Sequence, residues 1–422
     1  MTGRRAALAT AVVLLAAFAV VVAVGTPWQA LPEPPGGATA IDPTAGLSAE
    51  QVDRAEAFAA AIRPASLASL LLGLTVSAVL GLTPLGARLV RGLPAPRRWR
   101  WSWQVLLGVF ALAVIGRLVT LPLSAYGEVV RHRYGLSTRS WGLWVRDVAT
   151  STAIDAALTA LALVALVWLA RRASRLWWAL AAAGAAVLVV VGSFLWPVLV
   201  EPAFNSFEPM PAGQLRSDLL ALAEENGTPV QDVLVSDASR RTTALNAYVS
   251  GFGSTRRIVV YDTVLERLPD EQIESITAHE LGHVAADDVL TGTLLGALGG
   301  AGGVALLGWA LTSPRLLRRA GAEGPADPAV VPLALLLVAV GTLVATPVQN
   351  LVSRQIEART DVAALDLTED PEAFIAMQRG LAGSNLSDPD PPAAWHWFFG
   401  SHPTAAQRIA LAQDWARSER EP

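Results

Sequence analysis

Neither cysteine nor lysine occurs in this chain of 422 residues. The first absence removes disulfides, thiolate nucleophiles and cysteine-ligated metal sites together, so any metal must be held by histidine, carboxylate or water. The second leaves arginine as the source of all 32 basic side chains, a bias that goes with the abundance of alanine, glycine, proline and leucine and points to a GC-rich bacterial genome. Charge of either sign is scarce: 16% of residues are charged against 53% hydrophobic, with a mean hydropathy of +0.43. A water-soluble domain of this length is not so apolar. The net charge of -4 offers no basic surface, which argues against a nucleic-acid partner.

Long apolar runs take the place of charge. A bilayer core needs about 20 mostly apolar residues per helix. Seven stretches qualify: residues 6–25, 66–86, 104–124, 149–170, 176–199, 291–312 and 329–348. The first follows Arg4 and Arg5 as a signal peptide would, but its apolar run is longer than such a segment needs, and it reads as a retained span. The expected fold is mostly α: a polytopic membrane helical bundle of seven spans, in the lipid bilayer of a bacterial plasma membrane. Residues 26–64 read as a loop with one amphipathic helix around 50–62. The chain divides into residues 1–200 with five spans, 201–290 as a first catalytic segment, 291–348 with two spans, and 349–422 as a second catalytic segment and tail.

Arginine in short loops marks the cytoplasmic side. If seven spans alternate, Arg4–Arg5, the cluster from Arg88 to Arg100, Arg171–Arg175 and Arg315–Arg319 share one side, which would set residues 201–290 outside. The loop carrying Arg131, Arg133, Arg139 and Arg146 points the other way. Two charges fall within spans, Arg117 and Asp155, and each needs a partner or a wet cavity. A structural pair and the lining of a water-filled chamber are equal readings of them.

Chemistry concentrates in His279-Glu280-Leu281-Gly282-His283. On a helix, positions i and i+4 share a face, so both imidazoles can reach one zinc ion while Glu280 takes a proton from the attacking water. Pro269 and Asp270 provide a start signal, with Glu271 and Glu274 suited to the first turns. A shuffled chain of this composition would contain H-E-x-x-H on the order of a few times per thousand. A catalytic zinc takes three protein ligands and keeps one open position. Glu357, immediately after the seventh span, is the best third ligand, and Asp361 one turn further suits a carboxylate behind a ligand histidine. His402 could be a fourth ligand or a transition-state stabiliser, whereas His132 and His396 read as structural. Asn246-Ala247-Tyr248-Val249, a glycine turn, and Ile258-Val259-Val260-Tyr261 form a hairpin pattern whose edge could bind an extended peptide.

These residues resemble the type I CAAX prenyl proteases, seven-span membrane zinc metalloendopeptidases. The resemblance is carried also by Pro122 and Tyr126, Tyr134-Gly135-Leu136-Ser137, Glu201-Pro202-Ala203-Phe204-Asn205, Phe207-Glu208-Pro209-Met210-Pro211, Asn246-Ala247-Tyr248, and the run from Arg257 to Leu265. It implies one Zn2+ per chain held by His279, His283 and Glu357. It further implies Glu280 as general base, Asp361 orienting a ligand, Asn246 holding substrate backbone, His402 at the developing oxyanion, and a catalytic part facing the cytoplasm. That orientation opposes the arginine count, so the side stays open. The chain lacks a basic retrieval tail, has Val284 where an aromatic is common, and shares Asp288 with bacterial quality-control proteases. The expected partner is a peptide or membrane-protein substrate. The alternatives are a membrane-protein quality-control protease and, outside enzymes, a transporter or scaffold with a degenerate site.

Overall fold

The computed structural model describes residues 2–32 and 37–420. The first half is helical: α1 (Thr2–Gly25), α2 (Ala49–Leu82), the short α3 (Pro84–Gly92), α4 (Arg100–Arg133), α5 (Trp141–Arg172) and α6 (Trp177–Leu199). A small sheet follows with α7 (Gln214–Glu225), α8 (Asp262–Leu265) and α9 (Asp270–Ala285) around it. The chain then forms α10 (Asp288–Ala310), α11 (Pro314–Ala320), α12 (Val331–Thr368), α13 (Pro371–Asn385), α14 (Ala393–Phe399) and α15 (Ala405–Arg420). Among the described residues seven helices are long and apolar enough to cross a membrane: α1, α2, α4, α5, α6, α10 and α12. This is a multi-pass integral membrane protein.

Two expected boundaries need correction. The amphipathic segment around residues 50–62 and the second span are one helix, α2, which runs through Pro64 and ends at Leu82, where Thr83 caps α3. The seventh span likewise does not stop near residue 348: α12 continues through Pro347 to Thr368. A proline inside a helix deletes one backbone hydrogen bond, and both proline-containing helices are supported by neighbours, α2 and α12 lying against each other and α2 against α4. At 38 residues α12 is roughly 57 Å long, against a hydrocarbon core of roughly 30 Å, so its last turns must leave the bilayer.

Helices α12, α2, α4, α5, α6 and α10 pack as successive neighbours around a ring, α10 returning to α12, and α1 packs on α10. The main buried cluster of this ring lies at one end: Ala7 and Ala11 of α1, Val105 and Val109 of α4, Ala160 and Val167 of α5, Trp177 and Trp178 of α6, Ala305 of α10, and Leu333 and Ala334 of α12. Between α2, α4, α5 and α12 an open pocket of about 180 Å³ is lined by residues that include Ser77, Asp155 and Thr159. Asp155 lines this pocket and is itself exposed. Arg117 does not pair with it; its Nε donates to Thr152 Oγ1 at 3.0 Å.

The sheet has strands β1 (Phe207–Pro209), β2 (Asp232–Ser236), β3 (Ala247–Ser250) and β4 (Arg257–Tyr261) in the order β1-β2-β4-β3. β2 and β4 are parallel, the two outer pairs antiparallel, and β3 is an edge strand that lies near α9. The β3–β4 turn uses Gly251 at φ 92°, where a side chain would sit 2.3 Å from the Thr255 carbonyl oxygen. A second core joins the sheet to α7, α9, α12, α13 and α15 through Leu219, Ile258, Ile273, Leu281, Leu365, Phe374 and Trp415. The loop after α1 folds back onto this part: Ala45 is buried with Ala406 and Ile409, and the Thr39 amide donates to Asp414 Oδ1 at 2.8 Å.

Candidate metal centre

Helix α9 starts at Asp270, so that residue is the first of the helix rather than its cap; Pro269 precedes it, and Asp270 and Glu271 lie in the first turn. Ile273, Ile276 and Leu281 bury into the second core. Gly282 sets how close α9 can come to α12: a side chain there would meet Thr360 Cγ2 at 2.9 Å and Ala363 Cβ at 3.3 Å. Without that clearance the two helices could not bring their polar faces together. The Asn226 side chain donates to the Leu281 carbonyl at 3.0 Å and ties the same turn to the end of α7.

On the shared face, His279 and His283 of α9 meet Glu357 of α12, and one ligand atom from each lies within 4.8 Å of the others. His279 Nε2 is 3.2 Å from Glu357 Oε2, and His283 Nε2 is 3.6 Å from Oε1. His402, carried by the loop between α14 and α15, places Nε2 3.3 Å from Glu357 Oε1 but stands outside that mutual cluster. Its Nδ1 is 2.9 Å from Ser401 Oγ, and its carbonyl oxygen is 2.9 Å from His396 Nε2. His396 is thus a brace for this loop, and Arg354 donates to the Gly400 carbonyl beside it.

Each ligand-type histidine has a carboxylate behind it. His279 Nδ1 is 3.0 Å from Asp361 Oδ1, and Asp361 accepts in turn from Arg408, whose Nε lies 2.8 Å from Oδ2. His283 Nδ1 is 2.9 Å from Asp288 Oδ2, which also accepts from Arg359. Of these four supports, Asp361 is the one whose role the sequence indicates; Arg408, Asp288 and Arg359 acquire theirs in the structure. Asp288 stands five residues after His283 and was within reach of a spacing argument, while Arg408 and Arg359 become partners only through the tertiary fold.

Burial drives the His279 imidazole toward neutrality, but contacts with Asp361 and Glu357 outweigh it and carry its pKa up to about 9. Burial raises the Glu280 carboxyl, opposed by the neighbouring His279 and His283. His402 moves the other way, its pKa lowered mainly by desolvation.

The remaining candidates lie elsewhere. Asn246 is exposed immediately before β3, its backbone carbonyl accepting from the Tyr261 amide at 3.1 Å, with no side-chain hydrogen bond among the described residues. His132 belongs to a separate polar network around the fully buried Glu128, which Arg139 Nη2 contacts at 2.6 Å.

Do these side chains fit a metal? Glu357 Oε2 is buried and, although His279 Nε2 lies 3.2 Å away, makes no well-oriented hydrogen bond, a costly condition for a carboxylate that a cation between the two would relieve. Two imidazole nitrogens and one carboxylate oxygen are the donor set of a catalytic zinc site with an open position.

Fold and centre together define an integral-membrane protein with a two-histidine, one-carboxylate site built on its own helices. Residues 209–416 match the model of Peptidase family M48, and residues 45–206 match the model described as CAAX prenyl protease N-terminal, five membrane helices. A Bacillus subtilis protein described as the uncharacterized metalloprotease YhfN is 37% identical over 309 residues, 72% of each chain. A CAAX prenyl protease 1 homolog of Oryza sativa subsp. japonica is 28% identical over 348 residues, 76% of each chain. In fold, the crystal structure of S. mikatae Ste24p superposes with a TM-score of 0.76 at 21% identity, covering 98% of this chain and 99% of that one. The chain belongs to peptidase family M48 and is a membrane metalloprotease.

Proposed function

We propose that the protein is a zinc endopeptidase that holds one Zn2+ on His279, His283 and Glu357 and cleaves peptide or membrane-protein substrates with Glu280 as general base. The observation that carries this reading is the buried Glu357 carboxylate set against the imidazoles of His279 and His283, its Oε2 without a well-oriented hydrogen bond, with Glu280 next to His279 in the chain. A zinc ion held there supplies Lewis acidity toward the scissile carbonyl and lowers the pKa of a water. Glu280 takes the proton of the attacking water and delivers it to the leaving amine. Asp361, fixed by Arg408, keeps the His279 ring in one orientation. His402 stands at the rim, with its side chain 59% exposed, where it can donate a hydrogen bond to the oxygen that gains charge. The substrate strand adds to the open edge of β3, and Asn246 holds its backbone.

The catalytic part is assembled from residues 201–290 and 349–422, on either side of the last two spans. The names of the relatives support a substrate of the CAAX prenyl class. Cleavage of an isoprenylated peptide just before its three terminal residues supports that class, while cleavage only of unfolded membrane proteins assigns the enzyme to quality control instead.

The test uses the full chain in detergent. Wild type should contain one zinc per chain and hydrolyse a quenched fluorescent peptide. Glu280→Gln should keep the zinc and lose about 10²- to 10⁴-fold in kcat/KM. Unchanged hydrolysis in Glu280→Gln, or wild type without metal, refutes the reading.

A further inference from the structure

The two histidines of α9 are supported in parallel ways. Behind His279 stands Asp361 with Arg408; behind His283 stands Asp288 with Arg359. The surroundings of the two pairs differ. Asp361 is fully buried on α12, whereas Asp288 and Arg359 keep 11% and 31% of their side chains exposed. Asp288 is also the first residue of α10, a membrane-spanning helix.

The local backbone explains why Asp288 can reach back. Between α9 and α10 the chain turns at Asp287, which is left-handed at φ 52°, a conformation that aspartate tolerates better than most residues. This turn ends α9 and starts α10 in two residues, which brings the Asp288 carboxylate to the face of His283 turned away from Glu357. The other polar neighbour of His283 Nδ1 is Thr360 Oγ1 at 3.4 Å, but that hydroxyl already donates to the Ile356 carbonyl at 2.9 Å. Asp288 is nearer and charged.

We propose that Asp288 and Arg359 are a positioning pair for His283. The carboxylate accepts the Nδ1 proton and fixes the tautomer that leaves Nε2 free to ligate, and Arg359 fixes the carboxylate. This rests on the metal-centre reading above. It adds that one ligand is aimed by the first residue of a membrane helix, so the placement of α10 sets the geometry of the centre. Displacing α10 relative to α12 would turn the His283 ring before it disturbed His279.

The test compares full-length wild type with Asp288→Asn, Asp288→Ala, Asp288→Glu and Arg359→Met in detergent. Zinc affinity is measured by competition with a chromophoric chelator, ligand geometry by the visible spectrum of the Co2+-loaded protein, and folding by metal-free thermal unfolding. Asp288→Ala should weaken zinc binding about 10- to 100-fold and alter the Co2+ spectrum. Asp288→Asn should lose less than Asp288→Ala, Asp288→Glu should recover part of the affinity, and Arg359→Met should lose several-fold, all with metal-free unfolding unchanged. Should Asp288→Ala itself unfold, Asp288→Asn and Arg359→Met carry the decision. Wild-type affinity and an unaltered Co2+ spectrum in the folded variants overturn the proposal while leaving the metal centre in place. A wild type that binds no zinc overturns the metal centre itself.

Discussion

The two buried cores of this protein are built from different side chains. At one end of the helical ring the core is rich in alanine, with Ala7, Ala11, Ala156, Ala160, Ala170 and Ala305 all 5% exposed or less. Around the sheet the core uses large residues instead: Phe374, Leu219, Ile258, Ile273 and Leu281 are 1% exposed or less. The difference follows from the solvent. Between helices in lipid there is no water to expel, so association depends on close packing that small residues permit. Outside the bilayer, burying large apolar groups is what stabilises the fold. Helix α12 belongs to both: Leu333 and Ala334 lie in the first core, Ala364 and Leu365 in the second, and Glu357 lies between them.

Phe374→Ala should have the largest effect, destabilising the catalytic part by about 3–5 kcal/mol. Hydrogen exchange resolved by peptide should show α9 and α13 loosening while α4 and α5 keep their protection. Equal loosening of both regions would mean one cooperative unit and remove the distinction.

Ala160→Leu makes the opposite perturbation, overfilling the alanine core at a cost of about 1–3 kcal/mol. Exchange should rise in α5 and its neighbours, with zinc content retained.

Gly282→Val probes the seam between the cores. The 2.9 Å clearance to Thr360 Cγ2 forbids the added side chain unless α9 moves off α12, so stability falls by about 1–3 kcal/mol and zinc is lost. A variant that melts like wild type and keeps its zinc would show that the helix approach does not hold the site together.

Asp155→Asn should change least, within about 0.5 kcal/mol and with zinc binding unaltered. A large loss of stability would give the Asp155 carboxylate a structural role rather than a place on the wall of an open pocket.

Much of this was legible in the sequence because hydrophobic length and the i, i+4 rule are local signals. The seven spans, the small sheet with its hairpin, and the adjacency of His279, Glu280 and His283 all follow from them. Glu357 could be nominated because no cysteine competes and it follows a span. Helix continuity was not legible at Pro64 or Pro347: a proline normally ends a helix, and only neighbouring helices show that it does not do so here. Nor were the arginine partners: Arg408 lies 47 residues from Asp361 and Arg359 lies 71 from Asp288. No short-range rule connects them. Between the two equal readings of Arg117 and Asp155 the sequence offers no choice; in the fold Arg117 donates to Thr152, three residues before Asp155.

The central claim is that the metal centre is complete only when a helix begun in the membrane core delivers Glu357 to the histidines of α9. Its most direct measurement is the zinc affinity of the full-length protein in detergent, wild type against Glu357→Gln. One tightly bound zinc per wild-type chain is expected, with affinity falling by more than about 100-fold in the variant, beyond the usual loss for a residue behind a ligand. Equal zinc affinity in the two proteins would contradict the account.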